Sequence, residues 1–481
     1  MPEPFDVAII GAGVVGCAVA RVLSHHDLKV ALIDSAPDVG AGTSKANTAI
    51  LHTGFDATPG SIESRLVARG YELLLGYATA TSIAVERTGA LLVAWDDEQA
   101  ATLPALAAKA IANGYDKTTI VDTATVYELE PRLGRGACGG MVVPDEHLID
   151  PWSTTVAFAR EAIENGVTWL PNLHVTKLVV ASEVTEVVMA DASSLLTHYV
   201  VNAAGLRSDE VHRLIGLDGF TVHPRRGELI VFDKLARPLL GRTILPVPTS
   251  HTKGVLVAPT VFGNIMLGPT ADDIDDKTAT GSTRCGVGAL LAKGSQILPE
   301  LAHEEITAVY AGLRAATEHS DYQIGHERAL RYVYLGGIRS TGLTASMAIA
   351  EEALSRLARC GLQARPRPRA ALTRIRMTNL GEAEPRPYQR GGSGPIVCHC
   401  ERVTRNEIVA ACLATPPAVN LDGIRRRTRA LAGRCQGFYC STEICALAAE
   451  TTGGAMTQWL GLGARAGTGA GAGVGVGVGA T

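Results

Sequence analysis

Four of the ten cysteines stand in two close pairs near the C-terminal end: Cys398 and Cys400 with one residue between them, Cys435 and Cys440 with four. Thiolates are soft ligands, and two such pairs on separate loops can hold one metal centre through four sulfurs. Zinc usually takes wider spacings, so the one-residue gap is tight for it, and an iron–sulfur cluster is the other candidate. The sequence around the pairs predicts ordered loops. Thr404 and Glu407 form a capping box that starts a helix just after the first pair. "LDGIRRRTRALAG" predicts a second helix ended by Gly433, and Ser441 is placed to cap a third. Arg425, Arg426, Arg427, Arg429 and Arg434 lie between the pairs. They read first as a solvated helix face and second as a docking patch for an acidic partner. The remaining cysteines (Cys17, Cys138, Cys285, Cys360, Cys412, Cys445) are scattered and read as small apolar residues rather than as a disulfide framework.

A second group of residues sits at the other end of the chain. Gly11, Gly13 and Gly16 follow an apolar run, "FDVAII", and open an apolar helix that reaches Ser24. "KVALID" is the next strand, and Asp34 stands at its end. In this β-α-β setting the first glycine allows a tight turn, the second lets the backbone approach a pyrophosphate, and the third lets helix and strand pack. The phosphates meet free N–H groups at the positive helix end, and the acid accepts from the ribose hydroxyls and repels a 2′-phosphate. The run after Asp34, "GTSKANTAILHTGFDATPGS", is rich in hydroxyl and amide donors. It includes Thr43, Ser44, Lys45, Asn47 and His52, and suits a phosphate chain and a flavin edge. Far downstream "LGGIRSTGLTASMAIAEEA" forms another Gly-rich turn, with a helix predicted to begin near Leu343. Its N–H groups would face the negative charge that develops on a reduced flavin, so FAD is the expected dinucleotide.

These two sites need a frame. The chain has 481 residues, too many for one compact core. The formal net charge of −4 steers it towards neither nucleic acid nor an anionic membrane. No apolar run is long enough to span a bilayer. The apolar N-terminus lacks a basic region and is preceded by Glu3 and Asp6, so it is not read as a signal peptide, and a cytoplasmic protein is expected. The expected architecture is α/β, with a Rossmann-like FAD-binding domain, an inserted antiparallel-sheet substrate domain and a small helical C-terminal metal domain. The expected FAD-binding parts are residues 1–80, 145–215 and 305–365, and the substrate parts 81–144 and 216–304. A Pro-rich linker is expected over 366–395, the thiol domain over 396–452 and a disordered Gly-rich tail over 453–481.

Taken in order, "GAGVVG", "GTSKANTAILHTGFDATPGS", "VVNAAGLRSDE", "HPRRGE", "AGLRA" and "GGIRSTGLT" resemble the FAD-dependent D-amino-acid-oxidase-like superfamily. Within it the chain looks most like anaerobic-type bacterial glycerol-3-phosphate dehydrogenases, which carry a C-terminal domain of the bacterioferritin-associated-ferredoxin type. The resemblance implies a [2Fe–2S] cluster on Cys398, Cys400, Cys435 and Cys440. It also implies electrons leaving to an acceptor protein or quinone-linked partner, with peripheral membrane association through that partner. It places Arg314 in the reaction site, where its fork holds a substrate anion, and His52 near the flavin as a base or a structural imidazole. Val175, Gly205, Gly337, Gly342, Leu343 and Thr344 are expected around the cofactor, and Arg226 and Arg339 near the substrate; His223 and His251 are weaker candidates. One departure is Asp56, standing where relatives grip phosphate with arginine. Arg339 could replace that anchor, or the substrate could be a 2-hydroxy acid, as in the similar L-2-hydroxyglutarate oxidases. A non-catalytic iron–sulfur sensing protein is the reading from another class, and the intact glycine turn, Asp34 and Arg314 argue against it.

Overall fold

The computed structural model describes residues 3–248 and 254–460. His251 and the tail from residue 461 lie outside the described residues.

The first strand, Phe5–Ile10, is central to a sheet of eight strands and pairs in parallel with Val30–Ile33 on one side and Ser194–Asn202 on the other. Thr168–Leu170 extends the sheet at one edge, and Tyr332–Gly336 runs parallel to the end of Ser194–Asn202. Alternation sorts the apolar residues to two faces. Val7, Ile9, Val30 and Leu32 join a core with the helices Val14–Ser24, Ile62–Thr81, Pro151–Glu164 and Gly342–Arg359. Ala8, Ile10, Ala31 and Ile33 join the opposite core, beneath an antiparallel meander that includes Val175–Val180 and Thr185–Met189. The glycine turn follows from close approach. A Cβ on Gly16 would stand 1.8 Å from the Gly11 carbonyl oxygen, and Gly11 itself has φ +107°.

The second sheet has nine strands and is mostly antiparallel. Its longest pairing joins Val222–Phe232 to Ile306–Thr317 along their whole length, with Arg225 opposite Arg314 and Gly227 opposite Gly312. The strand that carries Arg314 therefore belongs to this second sheet, and not to the FAD-binding part to which 305–365 was assigned. A third, small sheet sets Ile50–Leu51 antiparallel to His147–Ile149, with Leu51 opposite His147.

Residues 366–395 are not a free linker. Arg367 N–H bonds the His25 carbonyl, Thr373 N–H bonds Asn165, Met377 N–H bonds the Thr81 carbonyl, and Ile375 and Leu380 are buried. The segment is a strap because its apolar residues find pockets on the oxidoreductase body. The C-terminal domain closes around Val397, Ile408, Ile424, Leu431 and Ile444. It reaches beyond residue 452, since Trp459, in the short helix Met456–Trp459, is buried in its core. Among the described residues no helix is long and apolar enough to cross a membrane.

Candidate active site and cluster site

A cavity of roughly 620 Å³ runs from the glycine turn to the second sheet. Gly13, Thr43, Ser44 and Asn47 line it at one end. Gly205, Gly337, Gly342 and Leu343 line it further along. His52, Arg314 and Arg339 reach the same space. The long Gly342–Arg359 helix begins at this wall, and its N-cap, Thr341, makes no side-chain capping bond. Thr341 instead donates to Glu63 at 2.6 Å, so the first N–H groups of the helix remain available to an anion.

The remaining cofactor candidates lie off the cavity wall. Gly11 and Gly16 shape the turn from behind. Asp34 accepts from the N–H of Ala12 at 2.6 Å and of Ala36 at 2.7 Å; burial raises its carboxyl above the usual range, against the pull of those two bonds. Thr344 is fully buried and accepts from His52 N–H at 3.0 Å, so it fixes the histidine backbone. Val175 is the first residue of the meander strand Val175–Val180 and is buried in the core there. Lys45 contributes its carbonyl to Trp152 Nε1 at 3.0 Å, and its ammonium senses Asp422, Arg425 and Arg426 of the C-terminal domain.

His52 is held by a residue that the sequence reading missed. Its Nδ1 stands 3.1 Å from Glu146 Oε2, and Glu146 is buried. The other carboxylate oxygen accepts from Thr53 N–H at 2.7 Å and Thr53 Oγ1 at 2.8 Å. A carboxylate only accepts, so Nδ1 carries a proton, and in the neutral ring Nε2 keeps its lone pair. The small sheet explains the pairing: Leu51 lies opposite His147, so the next pair outward is His52 and Glu146. The available signal was "DEHLID", an acid before an apolar run, which read only as a domain edge.

Arg314 is largely buried and has no carboxylate partner among the described residues. Both its terminal nitrogens point to the Thr270 carbonyl at 3.3 Å. Burial, with Arg225 nearby, brings its guanidinium down to about 10. Gly227 makes room for it, since a Cβ there would stand 2.7 Å from Arg314 Nη2. Arg226 does not reach the cavity. Alternation along Val222–Phe232 turns Arg225, Gly227 and Leu229 inward, and Arg226 outward to Asp272 and Glu228. Arg225, one residue earlier, is inside but is held by Asp273 at 2.6 and 2.9 Å. His223 precedes it on the same strand, is exposed and is not on the cavity wall. Arg339 lines the cavity and is paired with Glu63 at 3.6 Å and with the Ser320 carbonyl. Lys109, from the helix Asp97–Ala112, also lines the cavity and has no ion pair among the described residues; the sequence reading did not single it out.

The four paired thiols meet two by two. The Cys440 thiol donates to Cys398 and the Cys400 thiol to Cys435. That bond, with the N–H groups of Glu401 and Leu431, holds the Cys398 thiol down to about 6 despite burial. Burial pushes Cys435 up, and the N–H groups of Tyr439 and Gly437 and the Cys400 thiol more than offset it. Backbone donors aimed at sulfur are what an anionic cluster requires. The loops achieve this with left-handed residues, Arg429, Leu431, Gln436 and Gly437. Gly433 lets the loops meet, since a Cβ there would be 2.4 Å from Cys400 Cβ. The capping box of Thr404 and Glu407 is formed. The next helix is Leu421–Thr428, ended by Arg429 in the left-handed conformation rather than by Gly433. Ser441 is the first residue of its helix and makes no cap, because Cys440 occupies the cap position.

Three of the arginines between the pairs, Arg426, Arg427 and Arg429, are buried rather than on a solvated face, whereas Arg425 and Arg434 stay partly exposed. Arg426 and Arg427 bind Asp38 of the FAD-binding part, at 2.5 and 2.7 Å, and all three are buried or nearly so. Burial pushes the Asp38 carboxyl up, and the bonds from Arg427 and Arg426 outweigh it and hold it below its usual range. Arg434 binds Asp233 at 2.8 Å, and Lys234 binds Glu401 at 3.1 Å. The C-terminal domain thus docks on both parts of the oxidoreductase.

A nucleotide turn, a helix start and a cavity holding an imidazole and guanidinium groups, joined to a four-thiol domain, define a flavoprotein oxidoreductase with an iron–sulfur centre. The chain belongs to the FAD dependent oxidoreductase family, whose model matches residues 6–356, and residues 396–450 match the BFD-like [2Fe-2S] binding domain. It uses FAD and a [2Fe–2S] cluster. It is 34% identical to a glycerol 3-phosphate dehydrogenase of Caloramator mitchellensis over 463 residues, covering 94% of this chain and 96% of that one. It is 31% identical to a glycerol 3-phosphate oxidase of Mycoplasma pneumoniae, covering 73% of this chain and 94% of that one. Among solved structures, the dithionite-reduced L-alpha-glycerophosphate oxidase of Mycoplasma pneumoniae with FAD bound superposes with a TM-score of 0.73 at 29% identity, covering 76% of this chain and 97% of that one.

Proposed function

We propose that this chain is an FAD-dependent dehydrogenase that oxidises sn-glycerol-3-phosphate to the ketone and sends the electrons out through its [2Fe–2S] cluster. One arrangement carries the reading: a single cavity is lined both by an imidazole whose Nδ1–H is fixed by buried Glu146 and by a largely buried guanidinium with no carboxylate partner among the described residues. FAD, when bound, supplies the hydride acceptor. His52 Nε2 takes the proton from the secondary hydroxyl as the carbon is oxidised. Arg314 holds the substrate oxygens in two-point contact and so fixes which hydrogen faces the cofactor. Lys109 takes the phosphate end as a point charge, the task that Asp56 cannot perform. The N–H groups at the start of Gly342–Arg359 would supply donors to an anionic edge of the bound cofactor.

The full-length likeness to the Caloramator protein supports this reading, since it spans the cluster domain as well. A 2-hydroxy acid is the second reading, favoured by the pairing of Arg339 with Glu63, which removes the expected replacement for the missing phosphate anchor. The acceptor is proposed to be a one-electron carrier protein or a quinone-linked partner. Phe438 and Tyr439, exposed between Cys435 and Cys440, mark the solvent side of the cluster. The test is anaerobic bleaching of the flavin. Glycerol-3-phosphate at millimolar concentration should bleach it, and L-2-hydroxyglutarate should not; the reverse result would replace the first reading by the second.

A further inference from the structure

Two centres in one chain are useful only if electrons can pass between them, and the structure shows a continuous path of packed side chains, joined at its ends through the backbone, from the neighbour of Cys400 to the cofactor cavity. It starts at Glu401, the neighbour of Cys400, whose own N–H bonds the Cys398 sulfur. Glu401 accepts from Arg429 Nε at 3.3 Å. The Arg429 guanidinium lies over Phe262 at 4.1 Å from the ring centroid and 5.4 Å from that of Trp152. Phe262 and Trp152 stack with centroids 5.5 Å apart and planes 30° apart. Trp152 Nε1 then donates to the Lys45 carbonyl at 3.0 Å, and Ser44 and Ala46 on either side of Lys45 line the cavity. Phe262 also shares an apolar cluster with Ile50 and Leu256, both on the cavity wall.

Several features of this bridge have no simple structural need. Arg429 is buried, yet it sits at the end of its helix in the left-handed conformation, with φ +73°. A non-glycine residue there is costly, and the conformation turns the side chain onto the ring pair. A further partner, Asn264 Oδ1 at 3.5 Å, lies in the turn that leads into the second-sheet strand Ile265–Gly268. The charge latch of Asp38 with Arg426 and Arg427 would dock the domain without the rings. Stacked rings and a planar guanidinium add densely packed, polarisable atoms between the centres and exclude water from the gap. Electron tunnelling decays more steeply across gaps than through packed atoms.

We propose that Arg429, Phe262 and Trp152 are the positioning residues for internal electron transfer, carrying single electrons from the reduced flavin to the cluster. The proposal rests on the cofactor assignment and not on the choice of substrate. Each transfer removes one electron from the flavin and converts the cluster from two ferric ions to one ferric and one ferrous. A one-electron acceptor outside the chain must reoxidise the cluster before the second electron follows, and the flavin proton passes to solvent.

The experiment uses the holoenzyme and reduces the flavin by light with EDTA as donor, so that no substrate is needed. Freeze-quenched EPR then follows the reduced cluster, and absorbance follows the flavin. Trp152→Leu should slow the appearance of the cluster signal about tenfold, and Trp152→Phe, which keeps a ring, should restore most of the rate. Arg429→Met should also slow it, and serves if the tryptophan variant folds poorly. FAD content, iron content and photoreduction of the flavin itself should be unchanged. Wild-type cluster reduction in Trp152→Leu or in Arg429→Met, with both cofactors present, would overturn the proposal. Equal slowing in Trp152→Leu and Trp152→Phe would overturn it too, since the ring would then not matter.

Discussion

Replacing Glu146 by glutamine tests the imidazole assignment with almost no change of shape. Glu146 has three donors to satisfy, two from Thr53 and one from His52. Glutamine has one carbonyl oxygen and one amide NH₂. The oxygen goes to the two Thr53 donors, which are closer, and the NH₂ then faces His52 Nδ1. That nitrogen must become an acceptor, so the ring proton moves to Nε2 and the lone pair that faces the cavity is lost. General-base catalysis is worth about 10²–10⁴ in rate, or roughly 2.7–5.4 kcal/mol of barrier. The stability lost is smaller, roughly 1.5–3 kcal/mol for one charge-assisted bond, so the protein should still fold and hold FAD. In anaerobic stopped-flow, Glu146→Gln should lower the limiting rate of flavin bleaching by glycerol-3-phosphate at least about a hundredfold, with little change in the half-saturating concentration. A limiting rate within about threefold of wild type, with FAD fully bound, would refute the reasoning, because less than 1 kcal/mol would then depend on the tautomer.

Four further outcomes follow from the same geometry. Burial, with Arg225 nearby, brings the Arg314 guanidinium down to about 10 from its ordinary value, which corresponds to a ceiling of about 3 kcal/mol stored against the substrate-free fold. Arg314→Met should therefore abolish turnover yet raise the melting temperature of the substrate-free enzyme, as read by calorimetry. Asp38→Asn leaves two buried arginines without their carboxylate, a loss of roughly 3–5 kcal/mol in docking. Hydrogen exchange should rise across residues 421–434 while the flavin domain stays protected. Because the Asp38 carboxyl is lowered in the folded state, this docking energy is fully present above the ordinary value of 3.8 and is lost as pH falls below it. Exchange in the same segment should then rise below about pH 4 and not at pH 6. Cys435→Ser should remove iron and labile sulfide, measured chemically, and leave flavin bleaching by substrate intact.

The glycine turn and its strands were legible because their signal is local. Strand, turn and helix lie within thirty residues, and the turn admits only glycine where a Cβ would meet the Gly11 carbonyl. The thiol pairs were legible for the same reason. What failed was whatever depends on partners far apart in the chain. Arg226 and Arg225 are adjacent, and only the register against Ile306–Thr317 shows which faces the cavity. Glu146 became visible only when Ile50–Leu51 paired with His147–Ile149. The proline-rich strap read as a linker because its apolar residues are few, and each is buried by a different part of the body.

The misread arginines carry the larger physical lesson. A run of arginine next to an anionic cluster has two electrostatic solutions. It can stay in water and attract an acidic partner, or it can be buried against carboxylates of its own chain. Composition does not distinguish them, since Asp38, Asp233 and Glu401 come from three separate places in the chain. Burial against fixed carboxylates is weak as a source of stability but strong as a source of orientation, because a shifted domain would leave unpaired charges in a dry contact. A carrier domain that swings on a tether needs the opposite, a shallow surface with exchangeable partners. The clamp therefore argues for a cluster domain held at one distance from the cofactor cavity, with Phe438 and Tyr439 left facing solvent.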